Sequence, residues 1–82
     1  MRENNPLSGT LTRENVAANV RAALKRAGVS ERSMADRIGL PQSNFSRRMN
    51  SEVPFSAEQI AAIAAELGTS PAALFETPAV AA

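Results

Sequence analysis

Apolar residues in the middle of this 82-residue chain recur at spacings of three and four, the period of one helical face, and no stretch shows convincing strand alternation. The pattern predicts five short helices. In the first, over about 12–27, Val16, Val20, Ala23, Leu24 and Ala27 share a face, Thr12 is a suitable N-cap, and Lys25 and Arg26 suit the last turn. Gly28 is placed to end it. The second starts after Ser30, carries Met34, Ala35 and Ile38 inward and stops at Gly39. The third runs from Pro41 or Gln42 to about Asn50, because a first-turn proline loses no intrahelical bond. Ser56 caps the fourth, with Glu58 and Gln59 in its first turn, a buried stripe of Ile60, Ile63, Ala64 and Leu67, and Gly68 as its stop. Ser70 and Pro71 open a fifth with Leu74 and Phe75 as its apolar pair. Most gaps are short, as in a compact helical bundle.

The ends lack this period. Residues 1–11 are expected to form a flexible N-terminal arm, residues 12–76 one domain, and residues 77–82 a flexible tail. Hydrophobic residues make up 44% of the chain, but many are alanine, which leaves enough larger side chains for a helical core with little surplus. The absence of Cys and His removes thiol nucleophiles, disulfides, the commonest general base and the commonest metal ligands. No carboxylate pair, phosphate loop or metal-ligand spacing is present, so no enzyme activity, cofactor or metal is expected. No apolar run approaches the roughly 20 residues of a membrane span, and no secretion signal follows the basic start. The expectation is a cytoplasmic protein without membrane contact.

Charge sharpens the picture. The net value is only +1, yet all nine basic residues lie at or before Arg48. Residues 1–50 carry a net +5 and residues 51–82 a net −4. The basic half contains residues 30–50, two short helices joined by a tight turn at Gly39, as in a helix-turn-helix. On the third helix Phe45 and Met49 face inward, while Gln42, Ser43, Ser46, Arg47 and Asn50 form a polar, acid-free opposite side. Arg can bind guanine O6 and N7, Gln can bind adenine N6 and N7, and Ser can reach bases or phosphates, so such a face suits a DNA major groove.

Ala35, Gly39, Leu40, Phe45 and Ser46, followed by Phe55, Ser56 and the run IAAIAAELGTSPAALF over 60–75, give the chain a resemblance to the Cro/CI-type (XRE-like) helix-turn-helix family of phage repressors and small bacterial regulators. The resemblance implies an all-α, five-helix, lambda-repressor-like DNA-binding domain. It assigns base reading to Gln42, Ser43 and Arg47, base or phosphate contact to Asn44 and Ser46, and backbone contact to Asn50 and Ser51. Three positions depart from the family pattern. Glu31 stands where Gln usually braces the first residue of the third helix; its carboxylate can accept from Gln42 or favour the helix dipole, and Arg32 is the substitute phosphate donor. Pro41 replaces the usual hydroxyl cap. Arg48 takes an often apolar place while Met49 supplies the buried contact, so either the third helix is rotated slightly or Arg48 lies at its edge as a phosphate contact.

The function that follows is a sequence-specific double-stranded DNA-binding regulator, a repressor of phage or bacterial origin, acting as a homodimer on an operator with half-sites on the order of 10 bp apart. In a bacterial host it would lie at the nucleoid when bound. The alternative is a protein-interaction module, such as an antitoxin or anti-repressor, that docks a partner through the fourth and fifth helices and the acidic half. The acidic half is expected to face away from DNA or toward such a partner.

Overall fold

Glycine and serine set where the helices stop and start. The computed structural model describes residues 8–76, in which four α-helices follow one another: α1 (Ser8–Ala27), α2 (Glu31–Arg37), α3 (Gln42–Met49) and α4 (Ala57–Leu67), closed by a 3₁₀ turn at Pro71–Phe75. No strand occurs among the described residues. α2 begins at Ser30, whose hydroxyl accepts from the Ser33 N–H at 3.0 Å. α4 begins with a full capping box, in which Ser56 accepts from the Gln59 N–H at 3.1 Å and Gln59 Oε1 accepts from the Ser56 N–H at 2.8 Å.

Two predicted boundaries are corrected. Thr12 does not cap the first helix; α1 already runs from Ser8, so residues 8–11 belong to the helix and not to a flexible arm. Once later turns have nucleated, each residue added upstream gains a hydrogen bond at little further entropic loss, and this outweighs the cap preference of one threonine. The rest of the expected arm, 1–7, and the expected tail, 77–82, lie outside the described residues. The second correction concerns the fifth helix, which is a five-residue 3₁₀ turn. A segment this short, fixed at one end by Ser70 accepting from the Ala73 N–H and extended again at Glu76, closes more readily with i→i+3 bonds than with α-helical ones. Among the described residues the architecture is therefore four α-helices and a closing turn, in place of the expected five helices.

The core is assembled from all of these elements. Phe45, Met34, Ile60, Ile63 and Val20 are its largest fully buried side chains. Val16, Leu24 and Ala23 of α1, Ala35 of α2, Met49 of α3, Ala64 of α4 and Leu74 of the closing turn complete it, and Val29, Ile38, Leu40, Phe55 and Leu67 pack at its edge. Phe55 meets Phe45 edge-on, with ring centroids 5.6 Å apart and planes at 67°. Leu74 is buried, but its neighbour Phe75 is 51% exposed, since successive residues of a 3₁₀ turn point about 120° apart. The Asn19 amide donates to the carbonyls of Leu74 at 3.0 Å and Glu76 at 2.6 Å and so fastens the closing turn to α1. No helix among the described residues is long and apolar enough to cross a membrane.

Candidate nucleic-acid interface

α2 and α3 are joined by Ile38–Gly39–Leu40–Pro41. Gly39 has a φ of +74°, which lets its N–H reach the Asp36 carbonyl (3.2 Å) and the Leu40 N–H reach the Ala35 carbonyl (2.9 Å). Ala35 is wholly buried here, and a larger side chain would push the two helices apart. Pro41, with a φ of −58°, is the N-cap of α3, and its carbonyl accepts from the N–H groups of Asn44 and Phe45, each at 3.0 Å. No side chain caps this end.

At about 100° per residue, Phe45 and Met49 define the buried side of α3, and Arg47 falls roughly opposite them. The structure agrees. Phe45 and Met49 are buried, while Gln42, Ser43, Arg47 and Asn50 are exposed and Asn44, Ser46 and Arg48 are half-buried. Arg32, exposed on α2, donates from Nε to Gln42 Oε1 at 3.0 Å. The brace on the first residue of α3 is thus Arg32 and not Glu31, which lies in the first turn of α2 where its charge suits the helix dipole.

Arg48, expected at the edge as a phosphate contact, makes hydrogen bonds within the chain. Its Nε donates to Gln59 Oε1 at 3.1 Å, and its Nη1 donates to the Asn44 carbonyl at 3.2 Å and to Asn44 Oδ1. Gln59 is also the capping glutamine of α4. One arginine therefore ties α3 to the start of α4, and the Asn44 side chain is held in the same network. Of the eight candidate contacts, Gln42, Ser43, Arg47, Asn50 and Arg32 are each exposed, Ser46 is half-buried, and Asn44 and Arg48 are engaged internally.

The far end of α3 is equally well held. Asn50 is its C-cap, Ser51 adopts a φ of +65°, the Ser51 N–H reaches the Arg48 carbonyl at 3.1 Å, and the Glu52 N–H reaches the Arg47 carbonyl at 2.9 Å. Two arginines of α1 approach this negative helix end. Arg21 Nη2 donates to the Met49 carbonyl at 3.1 Å, and Arg13 Nη1 lies 3.3 Å from the Glu52 carbonyl and 3.5 Å from that of Ser51. Their acceptors are backbone carbonyls 28 to 39 residues away, and nothing in local spacing marks such a partner.

Glu52 also borders this surface. Its carboxylate lies 3.7 Å from Arg47 Nε, with both side chains more than half exposed. The side of α3 expected to be free of acids has one at its edge, contributed by the turn that follows the helix. The acidic half does not face wholly away from the candidate surface. Arg37 and Glu66 form a second such pair, at 3.9 Å, between α2 and α4. Among the described residues no group of acids could hold a metal ion.

The comparisons with known proteins bear on this arrangement. A crystal structure of a hypothetical transcription factor, NHTF, from Neisseria superposes with a TM-score of 0.76 at 25% sequence identity, covering 82% of this chain and 77% of that one. A comparison with curated protein sequences found no match. The model of a protein family, the BetR domain, matches residues 12–81. That span runs from the second turn of α1 past the closing 3₁₀ turn and contains the whole α2–turn–α3 unit, so the chain belongs to the BetR domain family.

Proposed function

We propose that this protein is a sequence-specific double-stranded DNA-binding transcriptional regulator that inserts α3 into the major groove of an operator half-site. The observation that carries the reading is that Gln42, Ser43 and Arg47 stand exposed on α3, a helix held at both ends by other elements. Its short polar groups match the donor and acceptor edges of base pairs, and its rigidity lowers the entropic loss of ordering them on DNA. The transcription-factor name of the Neisseria neighbour points the same way.

The finer reading is a repressor that occupies a near-palindromic operator as a homodimer. Few cations are available per copy. Arg13, Arg21 and Arg48 donate to oxygens of their own chain, and Arg37 and Arg47 face carboxylates. A single copy that neutralises few phosphates binds weakly, and a second copy on the adjoining half-site supplies the missing affinity. The alternative of docking a protein through the acidic half has less support, because Glu52 and Glu66 already face arginines.

Selection of duplexes from a random library, followed by titration at several salt concentrations, tests the reading. A symmetric enriched site is expected. Arg47→Ala should weaken binding to it by about 1–3 kcal/mol and relax one base position. Equal affinity for all duplexes, unchanged by that substitution, refutes the proposal.

A further inference from the structure

We propose that Glu52 is a specificity-determining residue of the α3 surface: its carboxylate, fixed beside Arg47, opposes phosphate and lowers sequence-independent DNA affinity more than operator affinity. This rests on the DNA-binding reading and adds to it a device that keeps the surface from binding DNA indiscriminately.

The position of Glu52 is set by backbone as well as by its own charge. Its N–H is bonded to the carbonyl of Arg47, its charge partner, at 2.9 Å, and its carbonyl lies 3.3 Å from Arg13 Nη1. Ser51, just before it, holds the positive φ that turns the chain back toward α3. The turn therefore places an acid next to the one charged side chain directly opposite the core side of α3. The carboxylate contact is to Arg47 Nε, at 3.7 Å, with 60% of the Arg47 side chain and 57% of the Glu52 side chain exposed.

Such an exposed pair contributes little to folding, and its consequence lies in the field it presents. An isolated guanidinium attracts any phosphate within a Debye length, about 8 Å at physiological salt, whatever the sequence. With a carboxylate alongside, the pair is close to neutral at that range, and sequence-independent attraction falls. A guanine edge is different. It is read by short directional hydrogen bonds from the guanidinium, which survive a neighbouring acid and gain from a side chain already steered into one orientation. The carboxylate thus penalises phosphate binding more than base reading.

The test uses the full chain and its Glu52→Gln variant, titrated against a random-sequence duplex and against the duplex selected by the wild type. Glu52→Gln keeps the backbone bonds of the turn and removes the charge. Its affinity for the random duplex should rise roughly three- to tenfold and its salt slope should steepen by about one, while operator affinity rises less, so the specificity ratio falls. Glu66→Gln removes an equal charge paired with Arg37 and should leave the ratio near the wild-type value. An equal rise on both duplexes, or the same change in Glu66→Gln, overturns the proposal in favour of net charge alone. A loss confined to the operator also overturns it, because Glu52 would then be reading a base. If the wild type itself shows no preference between the duplexes, the DNA-reading function falls first and this inference with it.

Discussion

Ser51 concentrates several local constraints in one residue. Every α-helix here ends with the same pair of bonds beside a residue of positive φ, and at α1, α2 and α4 that residue is Gly28, Gly39 or Gly68. Only α3 uses a residue with a β-carbon. The left-handed region is unfavourable for an L-residue by roughly 1–2 kcal/mol, partly offset because glycine loses more freedom on folding. Ser51→Gly should stabilise the domain by about 0.5–1 kcal/mol, seen as a rise of a few degrees in the thermal midpoint. No change, or a fall, would mean that the serine side chain stabilises the turn in a way that its backbone angle does not reveal. Residues like this were partly legible. The glycine stops stand out in the sequence because they follow an apolar stripe, whereas a serine in the same role looks like any other loop residue.

Among the elements, the contact between α3 and α4 depends on Gln59. Its side chain satisfies the Ser56 N–H and accepts from Arg48, so it serves the cap of one helix and the placement of another. Gln59→Ala should destabilise the protein by about 1–2 kcal/mol, more than an ordinary cap change, because it also leaves a half-buried guanidinium short of an acceptor. Gln59→Glu retains both acceptor roles and should stay within about 0.5 kcal/mol of the wild type. Denaturant unfolding of the two variants checks the pair, and equal losses would show that the link to Arg48 carries no weight. The capping box itself was readable as Ser56 followed by Gln59. Its second use was not, since Arg48 reaches it from another helix and presents on the sequence only as a surplus charge beside Arg47. The order of the first four helices and the buried pair Phe45 and Met49 follow from periodicity, as the structure shows. The upstream start of α1 and the 3₁₀ form of the last element depend on cooperative chain energetics that single residues signal weakly.

For the molecule as a whole, the split between a basic and an acidic half is a sequence fact that folding partly cancels. Arg37 meets Glu66, Arg47 meets Glu52, and two arginines of α1 turn inward to the end of α3. Pairings of this kind depend on the tertiary arrangement, which is why the candidate surface was legible in its helix and its central arginine but not in its supports or its acid. The resemblance to Cro/CI-type proteins indicated where the helix-turn-helix lies, and the matching family model is that of the BetR domain. The closing turn also acts at this scale. Leu74 is buried against the core while Phe75 stands exposed beside a groove of about 350 Å³ lined by Val16, Pro54 and Phe55. Leu74→Ala should destabilise by about 2–5 kcal/mol. Phe75→Ser should leave monomer stability nearly unchanged, as judged by thermal unfolding at low protein concentration, and a loss as large as that of Leu74→Ala would show that Phe75 belongs to the core.

The Asn19 clasp has a kinetic meaning. Its amide joins the first helix to the closing turn and the residue after it, across 55 and 57 positions of chain. A contact of that span cannot form until the intervening helices have brought its ends together, so it belongs to the late part of folding. In the reverse direction, its release frees the closing turn and uncovers the inner side of α1 at once. The two ends of the domain therefore open as one cooperative unit, and the short last element acts as the latch of the fold.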